Sequence, residues 1–390
     1  MDVGAVRDRR EARALAVGGL VALAVAVGIG RFVYTPILPL MVEDLGMTKS
    51  AAGLLASANF AGYLAGALLA ATAVVSGSRR RWLLAALAVS ALTTGAMAFV
   101  SSMPVFLILR FTGGVASAFG LVFASALALD GLAAAGRSEL SAVHFAGVGV
   151  GIAVSALLSW GIAALDGGWR AIWLAGGAVA AGAVGAVARL IPDRPGPVAA
   201  AAVRAKGVER RRLAVFVTAY GLFGFGYIIT ATFLVAIVRD GDYGRAFEPI
   251  VWLVVGLTAA PSVAFWTWIA RRVGIARAFA LACLAEAVGV AASVVQTSAS
   301  VLLGAALVGG TFMGLTALGL IGARRLSAGD PRSTLAIMTA AFGLGQIVGP
   351  AFAGLVYDAT GSFVLPSLTA VAALLIGAFL ALTVRERAAS

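Results

Sequence analysis

Twelve stretches of this sequence stay apolar long enough to cross a lipid bilayer, and no other feature constrains the fold as much. A hydrocarbon core about 30 Å thick takes roughly 20 mainly apolar residues per helix. The runs are 15–40, 50–75, 82–101, 104–129, 140–163, 169–190, 213–238, 247–270, 277–296, 300–322, 333–356 and 363–384. No water is available in the bilayer to satisfy backbone groups, so runs of this length form helices. Composition enters as a check. With 61% apolar and only 12% charged residues, the chain has about half the roughly 25% charge of soluble domains. The sequence therefore predicts an all-α membrane protein with twelve transmembrane helices.

Lys and Arg set the orientation. If the first residue lies inside and the spans alternate, 23 Lys and Arg fall in inside segments and the helical turns bordering them. The outside segments hold only Lys49, Arg170, Arg239 and Arg245. That bias places both termini in the cytoplasm. The net charge of +12 is thus a topological signal. The arginines sit in short clusters between apolar runs, such as Arg79 to Arg81 and Arg210 to Arg212, and form no basic stripe for nucleic acid. Cys283 is the single cysteine, which excludes an intramolecular disulfide and a cysteine metal site. No cofactor or metal is expected.

The two halves resemble each other at an offset of 196 residues. Gly28-Ile29-Gly30-Arg31-Phe32 aligns with Gly224-Phe225-Gly226-Tyr227-Ile228. Gly113-Gly114 aligns with Gly309-Gly310, and Gly147-Val148-Gly149 with Gly343-Leu344-Gly345. This repeat divides the chain into an N-terminal six-helix bundle, 1–190, a cytoplasmic linker, 191–212, and a C-terminal six-helix bundle, 213–390. Parallel repeats of this kind place a substrate near the midplane between the halves, which rock about it.

These motifs resemble the major facilitator superfamily over nearly the whole chain. Arg110-x-x-x-Gly114-x-Ala116-Ser117-Ala118 is similar to its fourth-helix motif. The stretch from Gly28 to Pro39, and that from Tyr220 to Ile229, resemble the YbfB/YjiJ-type branch. The resemblance implies the major facilitator fold and alternating-access transport. The chain departs from the pattern in two places. The loop Ser76-Gly77-Ser78-Arg79-Arg80-Arg81 lacks the acid of the superfamily's loop motif, which puts the usual lock on the outward-open state in doubt. The fifth helix keeps Gly147, Gly149 and Gly151 but lacks the antiporter Gly-Pro pair.

An ionisable group within a span is costly and marks a candidate functional site. At 1.5 Å per residue, Arg31 and Arg110 lie about 10–14 Å below the outer surface. Either they hold an anionic substrate group, which suits a guanidinium fork, or they bond backbone carbonyls. The repeat pairs Arg31 with Tyr227, and Arg110 with Ala306, so charge in one half faces an aromatic ring or a methyl in the other. Tyr34, Asn59, Tyr63, Tyr220, Tyr227 and Gln346 are further substrate-binding candidates, with helix packing as the alternative. Proton-coupling candidates are Arg110, Asp130, His144 and Glu286. Asp130 and His144 flank one inside loop, where they either pair or form a solvated loop end. Gly28, Gly30, Pro36, Gly114, Gly147, Gly226 and Gly343 are read as gating or packing positions, with Pro36 and Pro39 bending or ending the first helix near its outer mouth.

No nucleophile-base pair, metal-binding motif or nucleotide motif accompanies these residues, and a lone His offers little acid-base chemistry. The sequence therefore predicts a transporter and not an enzyme. The expected activity is secondary active transport of a small molecule, with an organic anion as the substrate class and the proton as coupling ion. A multidrug-type exporter of lipophilic compounds and a passive facilitator are the alternatives. The expected setting is the cytoplasmic membrane of a bacterium, with the chain acting as a monomer.

Overall fold

The computed structural model describes residues 3–72, 76–193, 210–241, 243–295, 297–326 and 331–384. Residues 194–209 of the expected linker lie outside the described residues, as do Arg385 and Arg387. Among the described residues, twelve helices are long and apolar enough to cross a membrane. They are α1 Arg10–Leu45, α2 Lys49–Ala70, α3 Arg79–Phe99, α4 Met103–Ala134, α5 Ser138–Ala163 and α6 Trp169–Leu190. The second set is α7 Arg211–Asp240, α8 Phe247–Val273, α9 Ile275–Ser293, α10 Ser298–Leu326, α11 Thr334–Thr360 and α12 Val364–Thr383. Each contains one of the apolar runs nearly entire. Inner and outer below follow the Lys and Arg bias.

Local chemistry explains the joints. Gly46 ends α1 in the left-handed conformation, at φ 61°, which glycine adopts without the Cβ penalty. Thr48 then caps α2, its Oγ1 accepting from the Ala51 amide at 3.1 Å. Ser78 caps α3 in the same way through the Arg81 amide, also at 3.1 Å. Such caps satisfy amides that the first helical turn leaves free.

The packing repeats with the sequence. In the first six spans α2 packs on α4, α3 on α4, α1 on α5 and α3 on α6. In the last six α8 packs on α10, α9 on α10, α7 on α11 and α9 on α12. Each second pairing is the first advanced by six helices. Small residues bring these helices together, as expected where hydrophobic driving force between helices is absent. At the α2–α4 crossing a Cβ on Gly62 would lie 1.9 Å from the Phe111 carbonyl oxygen, and one on Gly114 would lie 2.0 Å from that of Asn59. No larger side chain fits there without parting the two helices.

The two sets of six meet along α2–α11 and α5–α8, with the outer half of α1 against α7. Thr35 donates its hydroxyl to the Ala231 carbonyl at 2.8 Å, across a separation of 196 residues. Repeat-equivalent positions touch in this way only near the axis that relates the repeats.

Candidate functional site

The middle of α1 departs from a regular helix. Residues Ala24–Ile29 form a π-helical turn, and the Gly30 amide bonds to Val25. A regular helix resumes at Tyr34. Pro36 accounts for the break that follows this turn, at residues 30–33. Proline has no N–H, so it cannot donate to the Phe32 carbonyl. The Thr35 amide takes that carbonyl instead, at 3.2 Å. The carbonyl of Arg31 is left without its usual donor. Arg110 of α4 fills the gap, its Nη2 donating to the Arg31 carbonyl and its Nη1 to that of Gly30, each at 3.4 Å. These are long hydrogen bonds, but they close the backbone account of a buried break. The disturbance thus lies at mid-span, deeper than the outer-mouth bend expected from Pro36 and Pro39.

Arg31 and Arg110 are brought together as expected, but they differ in engagement. Arg110 is buried, with its guanidinium 4.8 Å from the Tyr34 ring and 5.8 Å from Trp173. Asn59 donates to the Arg110 carbonyl at 2.9 Å. This surrounding is a support for α1. Arg31 is 7% exposed and stands over Tyr63 at 4.3 Å, Phe60 at 4.9 Å and Phe32 at 5.6 Å. Its Nε and Nη2 have no hydrogen-bond partner. Among the described residues no carboxylate pairs with either arginine.

The last six spans face this charge with rings. Tyr227 lies within electrostatic reach of Arg31. Its ring is parallel to Phe312, at 5.7 Å and 4°, and to Phe342, at 5.8 Å and 5°. Gln346 donates its amide to the Tyr227 hydroxyl, and its Oε1 has no partner. Tyr220 stacks on Phe342 at 4.9 Å. From the other side, Phe32 closes edge-on against Phe312 at 5.8 Å.

The remaining candidates scatter. Tyr34 donates its hydroxyl to the Ala52 carbonyl at 2.8 Å, so it fastens α1 to α2. Glu286 is fully buried on α9, and neither carboxyl oxygen has a hydrogen-bond partner. It is within electrostatic reach of Tyr227. Asp130 and His144 do not pair. Asp130 bonds Arg79 at 2.8 Å at the exposed inner end. His144 is fully buried and shares a hydrogen bond with Ser125 at 3.0 Å. The solvated loop end expected for His144 is corrected, because α5 begins at Ser138 and His144 lies more than a turn inside it. Gly28, Gly147, Gly114 and Gly226 sit at close helix contacts within one half, Gly30 against Ser90, and Gly343 against Leu64 across the halves.

Sequence reasoning missed the outer closure. Arg239 grips Glu248 through two bonds, at 2.7 and 2.6 Å, and reaches Glu43 of α1 at 3.1 Å. Lys49 pairs with Asp240 at 3.7 Å. The Lys49 and Ser50 amides both donate to Asp358 at 3.0 Å. Deeper down, Ser57 donates to the Ile347 carbonyl at 2.6 Å and Trp252 to Ser155 at 3.0 Å. Apart from the Arg239–Glu248 pair, which joins α7 to α8, these contacts cross between the first six and last six spans in the outer half, and the site is closed on that side.

This arrangement sets an unpartnered guanidinium edge in one half and a stack of aromatic rings in the other. A search of curated proteins finds no significant sequence match. Among solved structures the chain is similar to a single-residue variant of the nucleoside transporter NupG. The TM-score is 0.77 at 15% identity, covering 95% of this chain and 99% of that one. NupG itself matches with a TM-score of 0.72 at 15% identity, covering 96% and 98%. A bacterial homologue of the human lysosomal transporter Spinster, inward-facing and unoccupied, matches at 0.69 and 12% identity, covering 96% and 95%. These likenesses show the major facilitator fold. The family described as uncharacterised MFS-type transporter YbfB matches residues 23–382. That match runs from the middle of α1 to the end of α12, and the chain belongs to this family of multi-pass membrane transporters.

Proposed function

We propose that this chain is a secondary active transporter of a small organic anion, held by Arg31 at the midplane and moved by alternating access. The observation that carries the reading is the unpartnered edge of the Arg31 guanidinium, Nε and Nη2. A buried charge with idle donors is costly, and a carboxylate matches that fork. The two bodies that rock are 1–190 and 213–390, joined by 191–212. The proton is the coupling ion, with Glu286 as the leading carrier. The setting is a bacterial cytoplasmic membrane and the working unit a monomer.

Thermal unfolding of purified protein against a panel of metabolites and drugs tests this, with Arg31→Ala beside wild type. A ligand at 100 times its Kd adds about 2.7 kcal/mol to a reversible unfolder. Anions are expected to stabilise wild type and not the variant. Equal stabilisation of both by neutral or cationic lipophiles would instead make this a multidrug-type exporter.

A further inference from the structure

Resting on that anion reading, we propose that the substrate is a flat aromatic monocarboxylate, its ring against the wall formed by Tyr227, Phe312 and Phe342. The geometry contributes three separate constraints. First, Nε and Nη2 are the unpartnered nitrogens of Arg31, and two donors on one edge of a guanidinium fit the two oxygens of one carboxylate. The second arginine does not add a second carboxylate site, because its Nη1 and Nη2 are given to the Gly30 and Arg31 carbonyls.

Second, the rings are stacked. Tyr227 lies parallel to Phe312 and to Phe342 within 4° and 5°, at 5.7 and 5.8 Å, so a flat substrate ring extends the stack. Aromatic partners gain most from offset-stacked or edge-to-face contact with such faces. Phe32 already makes an edge-on contact of this kind with Phe312 from the opposite half. When the halves part, that contact opens and a substrate ring can take its place. An aliphatic body would gain only burial there.

Third, the polar end of the wall has matched capacity. The Tyr227 hydroxyl accepts from Gln346 and so keeps its own proton for donation, while Gln346 Oε1 has no donor. A ring hydroxyl would satisfy Gln346, so a hydroxy-substituted aromatic acid fits better than the bare one.

Thermal unfolding with four chosen probes tests the proposal on the full chain in detergent: benzoate, para-hydroxybenzoate, cyclohexanecarboxylate and benzamide. The expected order of protection is para-hydroxybenzoate, then benzoate, then cyclohexanecarboxylate, with benzamide inert and all protection absent in Arg31→Ala. Phe342→Leu supplies the second variant. It keeps an apolar side chain and is expected to lower protection by benzoate while leaving that by cyclohexanecarboxylate unchanged. Equal, Arg31-dependent protection by benzoate and cyclohexanecarboxylate overturns the aromatic proposal and leaves the anion reading standing. Equal protection by benzamide and benzoate, persisting in Arg31→Ala, overturns the anion reading itself. No protection by any acid in wild type overturns the aromatic proposal.

Discussion

Helices α1 and α7 occupy equivalent places in the repeat, yet one is broken and charged while the other is continuous and aromatic. The positions of Pro36 and Pro39 are taken in α7 by Thr232 and Val235. With its amides intact, α7 runs as helix from Arg211 to Asp240. It needs no outside donor, and the position of Arg110 is held in α10 by Ala306. The comparison teaches that the arginine and the prolines are one device. Proline interrupts the ladder, and Arg110 satisfies the carbonyls so released. The distorted backbone then presents Arg31 to the divide, while the unbroken α7 presents Tyr227 as part of a wall.

The comparison is broken most severely at Arg110. Arg110→Ala leaves the Gly30 and Arg31 carbonyls without their donor. Each buried unsatisfied group costs about 1–3 kcal/mol, so a loss of roughly 2–6 kcal/mol is expected for the two. Truncating the counterpart, Ala306→Gly, costs about 0.5–1 kcal/mol through helix propensity alone. Thermal or denaturant unfolding of the two variants in one detergent decides it. Equal losses would mean that Arg110 does not support the break.

Thr232→Pro is the next test, because it writes the α1 feature into α7. Proline in a helix interior costs about 3 kcal/mol or more, and no arginine stands ready on α10 to compensate. Placing Arg at 306 together with Thr232→Pro is expected to recover part of the melting temperature. A double variant no more stable than Thr232→Pro alone would separate the proline from the arginine and undo the pairing argued above.

Much of this architecture was legible in the sequence, and the illegible parts share a cause. Apolar length fixes where helices lie, and the repeat of 196 fixes which helices correspond. Both survive any detail of side-chain placement. The partners of Arg110 are backbone carbonyls, which every residue carries, so no sequence pattern marks them. The aromatic wall is hidden for a similar reason. Phe312 and Phe342 are two of 20 phenylalanines, and only the fold shows that their planes align with Tyr227. The fifth apolar run places His144 four residues inside a span, but its burial against Ser125 depends on how α4 and α5 pack, which the sequence does not display. One clue was available at the outer gate. Glu43 and Arg239 are equivalents in the repeat with opposite charge, and residues near the axis meet their own equivalents.

Glu286→Gln sharpens the comparison without disturbing the fold. The α9 carboxyl is buried in the aromatic half, whereas its counterpart in α3 is Ser90, so at this position only one half carries a titratable group. Glutamine keeps the shape and removes the proton site, so little change in unfolding is expected. Adding benzoate to weakly buffered wild-type protein in alkaline solution, where a buried carboxyl gives up its proton, should draw protons from solution, since an anion nearby favours the uncharged carboxyl by Coulomb's law. A pH indicator reads the uptake. Identical uptake by Glu286→Gln would place the coupling proton elsewhere.

The smallest expected effect lies at Glu43. Its carboxylate is about half exposed, at 47%, and an exposed ion pair contributes about 0.2–1 kcal/mol. Glu43→Gln removes the attraction of Glu43 for Arg239 and Arg245 across the divide, yet leaves the Lys49–Asp240 pair and the Arg239–Glu248 pair of α7 and α8 in place. The outer-closed state should lose that amount relative to the outer-open one, a shift of about 1.5- to 5-fold in population. Thr35→Cys can report it, because Thr35 is 2% exposed and is covered by Ala231 of the other half. The native Cys283 is fully buried and gives little background. Labelling of Thr35→Cys by a membrane-impermeant thiol reagent should speed up by the same factor when Glu43→Gln is added. Raising the salt concentration should speed the parent more than the Glu43→Gln form, since in the variant screening acts only on the Lys49–Asp240 pair that remains. An unchanged rate in Glu43→Gln would mean that the outer gate is held by the Asp358 and Ser57 hydrogen bonds, with the charged pair contributing nothing to closure.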